Sequence, residues 1–185
     1  MSWIPSKREE LGLTLAQHKL LCYLVMLGTQ SDGFASYVKV PTDGVLPISR
    51  MAKACSLSRG HASECFNHLV ETGLVEKTEK SGTRSGYAMC MPEVRGAHYV
   101  KVDERKALKM FCYGVPRGAW EVVSMALGDV LTLDASDKYG HLGRMAEVNR
   151  NQAEVAFEYD RQNGFIDVTP TAVNGVAKVM VRATV

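Results

Sequence analysis

The stretch that decides the fold is SLSRGHASECFNHLVETGLVEK, Ser56 to Lys77. Ser58 is a residue type that caps helix starts, because its hydroxyl can accept from a backbone N–H of the first turn. Gly73 stands where a left-handed residue closes a helix. The helix between them, predicted to run to about Glu71, carries Arg59, His61, Ser63, Glu64, Asn67 and His68. A solvated helix would carry more Lys and Glu. Short donors and acceptors suit a helix that faces another polar object. After Gly73 the segment Leu74 to Glu79 reads as a strand.

Upstream, Ser49 is expected to cap a short helix over Arg50 to Ala54, with Cys55, Ser56 and Leu57 as the turn. Earlier still, TLAQHKLLCYLVML (residues 14–27) has apolar positions on more than one face and should be largely buried, with Thr14 as its cap and Gly28 as its stop. Residues 29–44 read as a loop holding a short strand around Tyr37 to Val40. Downstream, SGTRSG (residues 81–86) is a tight connection, and Tyr87 to Met91 returns as a second strand.

This order of helix, helix, turn, helix, strand, loop, strand resembles the winged helix-turn-helix domain. The resemblance is carried by ISRMAKACSLSRGHASECFNHLVETGLVEK and by the SGTRSG wing. It implies double-stranded DNA as the partner, with the first turns of the second helix in the major groove.

A second copy is visible. RMAKAC at Arg50–Cys55 recurs as RMAEVN at Arg144–Asn149, an offset of 94. HLVETGLVEK has a counterpart in YDRQNGFIDV, where Gly73 matches Gly164 at an offset of 91. The second copy is therefore expected to be three residues shorter in the turn. Pro116 fits the first turn of a helix reaching Leu127. Asn151 is expected to cap a helix to about Gln162. Phe165 to Val168 and Ala177 to Arg182 read as strands, with residues 169–175 (TPTAVNG) as the second wing. One mismatch is plain: Leu69, a core position, aligns with Asp160, so that either Tyr159 is buried instead or Asp160 meets a partner. Tyr99 to Phe111 reads as a strand turning into a helix. The expected architecture is α+β, mostly α: two tandem winged helix-turn-helix domains at 1–92 and 115–185, with a linker at 93–114.

Composition narrows the functions. The chain has 185 residues, 46% hydrophobic and 23% charged, ordinary for a globular protein. No apolar run approaches the roughly 20 residues of a membrane span, and MSWIPSKREE has no signal-peptide core. A cytoplasmic location and no membrane partner are expected. The five cysteines include no Cys-x-x-Cys pair, which argues against a disulfide framework or zinc. The chain also lacks phosphate-loop, dinucleotide, serine-elbow and zinc-protease motifs. Neither an enzyme, nor a cofactor, nor a small-molecule ligand is expected. The pair His61 and Cys65 has helical contact spacing, which reads as packing rather than a nucleophile. Trp3 and Trp120 read as core or interface anchors, and Trp3, Ile4 and the linker offer a homodimer surface.

The net charge of +2 does not by itself call for nucleic acid, so phosphate binding must come from local placement. In the first copy the expected DNA contacts are Ser58, Arg59, His61, Ser63 and Asn67 on the second helix and Arg84 on the wing. In the second copy they are Arg150, Asn151, Gln152 and the wing residue Lys178. Arg pairs with guanine O6 and N7, and Asn or Gln with adenine. Thr83, Ser85, Thr171 and Asn174 are further wing candidates. The leading expectation is a sequence-specific double-stranded DNA-binding protein, by default a transcriptional regulator of a bacterium, phage or plasmid. A phage or plasmid replication initiator is the near alternative. Glu64, Glu154 and Glu158 would repel phosphate, and they keep open a protein-interaction module built on winged helices.

Overall fold

The computed structural model describes residues 2–27, 45–81, 84–89 and 97–185. The chain is α+β, with seven α-helices among the described residues and small antiparallel sheets. It divides into two units, Met1–Tyr113 and Gly114–Val185. The expected stop at Gly28, the strand near Tyr37 to Val40, and Thr83, Cys90 and Met91 lie outside the described residues.

The first unit runs β1 (Ser2–Pro5), α1 (Leu15–Leu27), β2 (Val45–Pro47), α2 (Ile48–Cys55), α3 (Arg59–Glu71), β3 (Val75–Ser81), β4 (Arg84–Met89), β5 (Tyr99–Val102) and α4 (Glu104–Ala107). Two 3-10 turns, Arg8–Leu11 and Leu108–Phe111, complete it. Thr14 caps α1 as expected: its Oγ1 accepts from Gln17 N at 3.3 Å while Gln17 Oε1 accepts from Thr14 N at 2.9 Å. This reciprocal pair satisfies two donors at the helix start. Helix α1 is buried from His18 to Met26, because α2, α3 and β1 all pack on it. His18 lies in that core and its ring Nε2 is 2.8 Å from Pro5 O. Burial pushes its pKa down, so the neutral ring donates to this carbonyl.

Residues 97–113 of the segment expected as a linker belong to this first unit. β5 pairs antiparallel with β1, with Trp3 opposite Lys101. The 3-10 turn after α4 lies on α1, where Phe111 stacks on Tyr23 at 5.2 Å. Its apolar residues Ala107, Met110 and Phe111 are buried. Lys101, Arg105 and Lys109 of the same segment are exposed.

The second unit runs α5 (Ala119–Met125), β6 (Leu131–Asp134), α6 (Lys138–Met145), α7 (Arg150–Gln162), β7 (Ile166–Val173) and β8 (Val176–Ala183). Its three-stranded sheet has the order β6-β8-β7. The first unit's has β2-β4-β3. In each, the strand before the helix pair joins the far strand of the hairpin. Neither short leading strand, VLP or LTLD, was expected from sequence; both lack the length that gives a periodic signal. Trp120 is fully buried in α5.

The hairpin of the second unit differs from the expected wing loop. Residues 166–173 stay in β7, and only Asn174 (φ 50°) and Gly175 (φ 76°) turn. Asn-Gly is the pair that two left-handed positions favour, and its twist lets the strands run to the tip.

Asp160 resolves the mismatch with Leu69 against expectation. Tyr159 is only half-buried, while Asp160 is fully buried and neither carboxylate oxygen has a hydrogen bond. Burial, with Glu121 of α5 adding to it, pushes its pKa up to about 9. A carboxyl whose folded pKa is raised stabilises fully below the usual Asp value, near 4. That stability is lost as pH rises toward about 9, because the unfolded chain gives up its proton first. We therefore expect the second unit to weaken across this window with a slope approaching one proton. Asp160→Leu should flatten the profile and raise the denaturation midpoint at pH 8. Urea unfolding followed by Trp120 emission in a Trp3→Phe background measures it.

Candidate nucleic-acid interface

The turns and second helices of the two pairs correspond at a single offset of 91. Ser56 (φ 57°) and Glu147 (φ 54°) are the left-handed residues of the two turns. Leu57 N donates to Ala52 O at 2.9 Å, and Val148 N to Gly143 O at 3.0 Å. At the far ends Leu74 N donates to Leu69 O at 3.0 Å, and Phe165 N to Asp160 O at 2.8 Å. The expected shortening of the turn is therefore absent. The RMA match at an offset of 94 is a sequence coincidence: fully buried Met51 is matched in space by fully buried Leu142, while Met145 is half-buried. A Cβ on Gly143 would lie 2.9 Å from Val148 O, so the second turn is held tight against its helix.

The inner faces of α3 and α7 also correspond. Ala62, Cys65, Phe66 and Leu69 are buried in α3; Ala153, Ala156, Phe157 and Asp160 are buried in α7. This spacing of three and four residues is one helix face. It turns Arg59, His61, Glu64 and Asn67 outward in α3, with Ser63 half-exposed. In α7 it turns Arg150, Asn151, Glu154 and Val155 outward, with Gln152 half-exposed. In α3 Arg59, Ser63 and Asn67 follow one line four residues apart with His61 on the other flank, and in α7 Arg150, Asn151 and Gln152 fan around the first turn. His61 is exposed and Cys65 buried. A Cys-His approach occurs in α1, where Cys22 Sγ lies 3.6 Å from His18 Nε2. Burial holds that thiol protonated.

The caps reassign two side chains. Ser58 caps α3 as expected, accepting from His61 N at 3.2 Å. In α7 the cap is Asn149, not Asn151: Asn149 Oδ1 accepts from Gln152 N at 2.9 Å, and Gln152 Oε1 accepts from Asn149 N at 3.1 Å. The helix begins two residues earlier than anticipated, as the offset of 91 requires. Gln152 therefore spends its carbonyl on the cap. Asn151 keeps its whole amide outward. The cap of α2 also differs, since Pro47 holds that place with no side-chain bond and Ser49 lies inside the helix.

The wings contribute less than expected. Lys178 sits opposite Asp134 in the sheet and is ion-paired to it, away from the hairpin tip. At the tip, Val173 and Val176 are exposed. Arg84 opens β4, opposite Ser81 and Pro47.

Three cations outside the predicted set flank the helix faces. Arg50 and Lys53 are exposed on α2. Arg50 bonds the Tyr23 hydroxyl, and the Lys53 ammonium lies 5.6 Å from the Tyr113 ring centre. Arg117, exposed, shares a shallow depression with Asn149, Asn151, Gln152 and Val155. Its signal in the sequence was weak, a lone basic residue before α5. Among the carboxylates, Glu158 is paired with Tyr139 and Arg161. Burial alone would raise its pKa, but Tyr139, donating at 2.8 Å, and Arg161, at 2.7 Å, together hold it below the usual range.

Comparison with protein-family models, curated proteins and solved structures finds no match for this chain.

The cap assignment gives a direct expectation. Asn149→Ala should destabilise the protein by about 1 kcal/mol, while Asn151→Ala should stay within about 0.5 kcal/mol of wild type. Equilibrium urea denaturation of both variants distinguishes them.

Proposed function

We propose that this chain is a sequence-specific double-stranded DNA-binding protein built from two tandem winged helix-turn-helix domains, acting as a transcriptional regulator. One observation carries the reading. In both units an arginine, Arg59 or Arg150, stands exposed in the first turn of a capped helix whose opposite face is buried. That is the position from which a second helix reaches base edges in the major groove. The repeated sheet order, with a hairpin following each reading helix, supports the wing assignment. Exposed Arg50 and Lys53 on α2 suit the backbone contacts that the first helix of such a pair makes. Phosphate attraction is then local, which reconciles the reading with a near-neutral chain.

A second reading, a protein-interaction module, is favoured by the apolar tip of the β7–β8 hairpin, with Val173 and Val176 about half exposed. Salt separates the two. Phosphate contacts release counterions, so log affinity for duplex should fall with log salt by about 0.9 per contact. An interaction module would show no such slope.

Arg59→Ala and Arg150→Ala are each expected to weaken specific binding by about 1–3 kcal/mol. Fluorescence anisotropy with a selected duplex measures this, with circular dichroism verifying the fold. Undiminished affinity in both folded variants would remove α3 and α7 as reading helices.

A further inference from the structure

The outward face of α7 carries an apolar residue where a solvated helix would not need one. Val155 is 57% exposed. Asn151 lies one turn earlier on the same side, since residues four apart are neighbours on a helix surface. Its amide is not used by the cap, which Asn149 and Gln152 close between themselves. Asn151 and Val155 share with Pro116 and Arg117 the wall of an open depression of ≈ 360 Å³. The matching positions of the first unit are Gly60 and Glu64, so this pairing of an unused amide with an exposed methyl surface belongs to the second unit alone.

Charge divides that surface by depth. Arg150 and Arg117 stand at the first turn and before α5, both exposed. Glu154, also exposed, lies beside Val155 in the second turn. A carboxylate there disfavours phosphate, so the second turn suits base edges, and Arg117, outside α7, suits the backbone. Among base edges, the thymine C5 methyl is the apolar one, and adenine N6 with N7 is the pair that an Asn amide matches.

We propose that the second unit reads an A·T-containing half-site, with Asn151 on adenine and Val155 packed on a neighbouring thymine methyl, while Arg117 holds an adjoining phosphate. The first unit, with Gly60 and Glu64 at these positions, does not share this preference. The proposal rests on the reading that α7 faces duplex DNA.

The test uses the full chain and a duplex enriched by it from a random pool. Each thymine is replaced singly by deoxyuridine, which lacks only the methyl, and each adenine by 7-deazaadenine, which lacks N7. For wild type, deoxyuridine at one thymine should weaken binding several-fold, and 7-deazaadenine at a nearby adenine about tenfold, a loss comparable to one good base contact. Val155→Ala should bind the thymine and deoxyuridine duplexes equally. Asn151→Ala should be indifferent to the 7-deaza substitution. Both side chains are exposed, so neither variant should lose its fold. The proposal is overturned if deoxyuridine costs Val155→Ala as much as wild type at every position, or if every enriched half-site lacks A·T pairs. Enrichment of no duplex at all would instead sink the DNA reading beneath it.

Discussion

The burial of one seam along each of α3 and α7 governs everything outward of it. Ala62, Cys65, Phe66 and Leu69 face the interior in the first unit; Ala153, Ala156, Phe157 and Asp160 do so in the second. Burying a side chain such as Phe66 or Phe157 contributes about 1.5–3 kcal/mol, enough to fix a helix's rotation about its axis. Rotation then decides which residues a partner meets. Rotating α7 by one residue, about 100°, toward Val155 would bury Gln152 and Val155 and put Phe157 in water. The same seam forces close approach at the turn, where Ala52 and Gly143 take the corresponding place, and requires a left-handed residue between the helices. Ser56 and Glu147 fill that role without being glycine, a cost of roughly 1–2 kcal/mol in backbone conformation that the packed turn sustains.

Asp160 is the exception within the seam, and it shows what the seam tolerates. A carboxyl occupies the site of Leu69 and is kept neutral by burial. The second unit thereby gives up stability at neutral pH that a leucine would supply. Its hairpin, with full pairing from Ile166 opposite Ala183 to Val173 opposite Val176, is a long regular element beside that weakened core.

Much of the fold was legible because it depends on local chemistry. Thr14 and Ser58 as caps, Gly73 and Gly164 as helix ends, and the buried character of α1 all follow from side-chain type at a given spacing. Arg59 and Arg150 faced outward for the same reason: the apolar period leaves them no inward position. The turn in the second copy was misread because RMA is a strong string and a weak structural signal. Met145 carries the string, but Leu142 carries the packing. That slip, in turn, misplaced the cap at Asn151 instead of Asn149. Lys178 looked like a wing residue because the extent of β8 depends on an Asn-Gly turn and on pairing with β6, a contact 44 residues distant. Arg117 and Val155 were not singled out, since their neighbourhood is assembled from two elements and has no linear pattern. The strand-to-helix segment after Tyr99 was read in type but not in membership, because β1 lies nearly a hundred residues earlier.

The central claim is that both α3 and α7 present their outward faces to one duplex. Hydroxyl-radical footprinting of the full chain on a sequence enriched from random duplex tests it most directly. The account predicts two protected patches, of which Arg59→Ala thins one and Arg150→Ala the other. A single patch insensitive to one of the two substitutions, or uniform cleavage at every salt concentration, would contradict it.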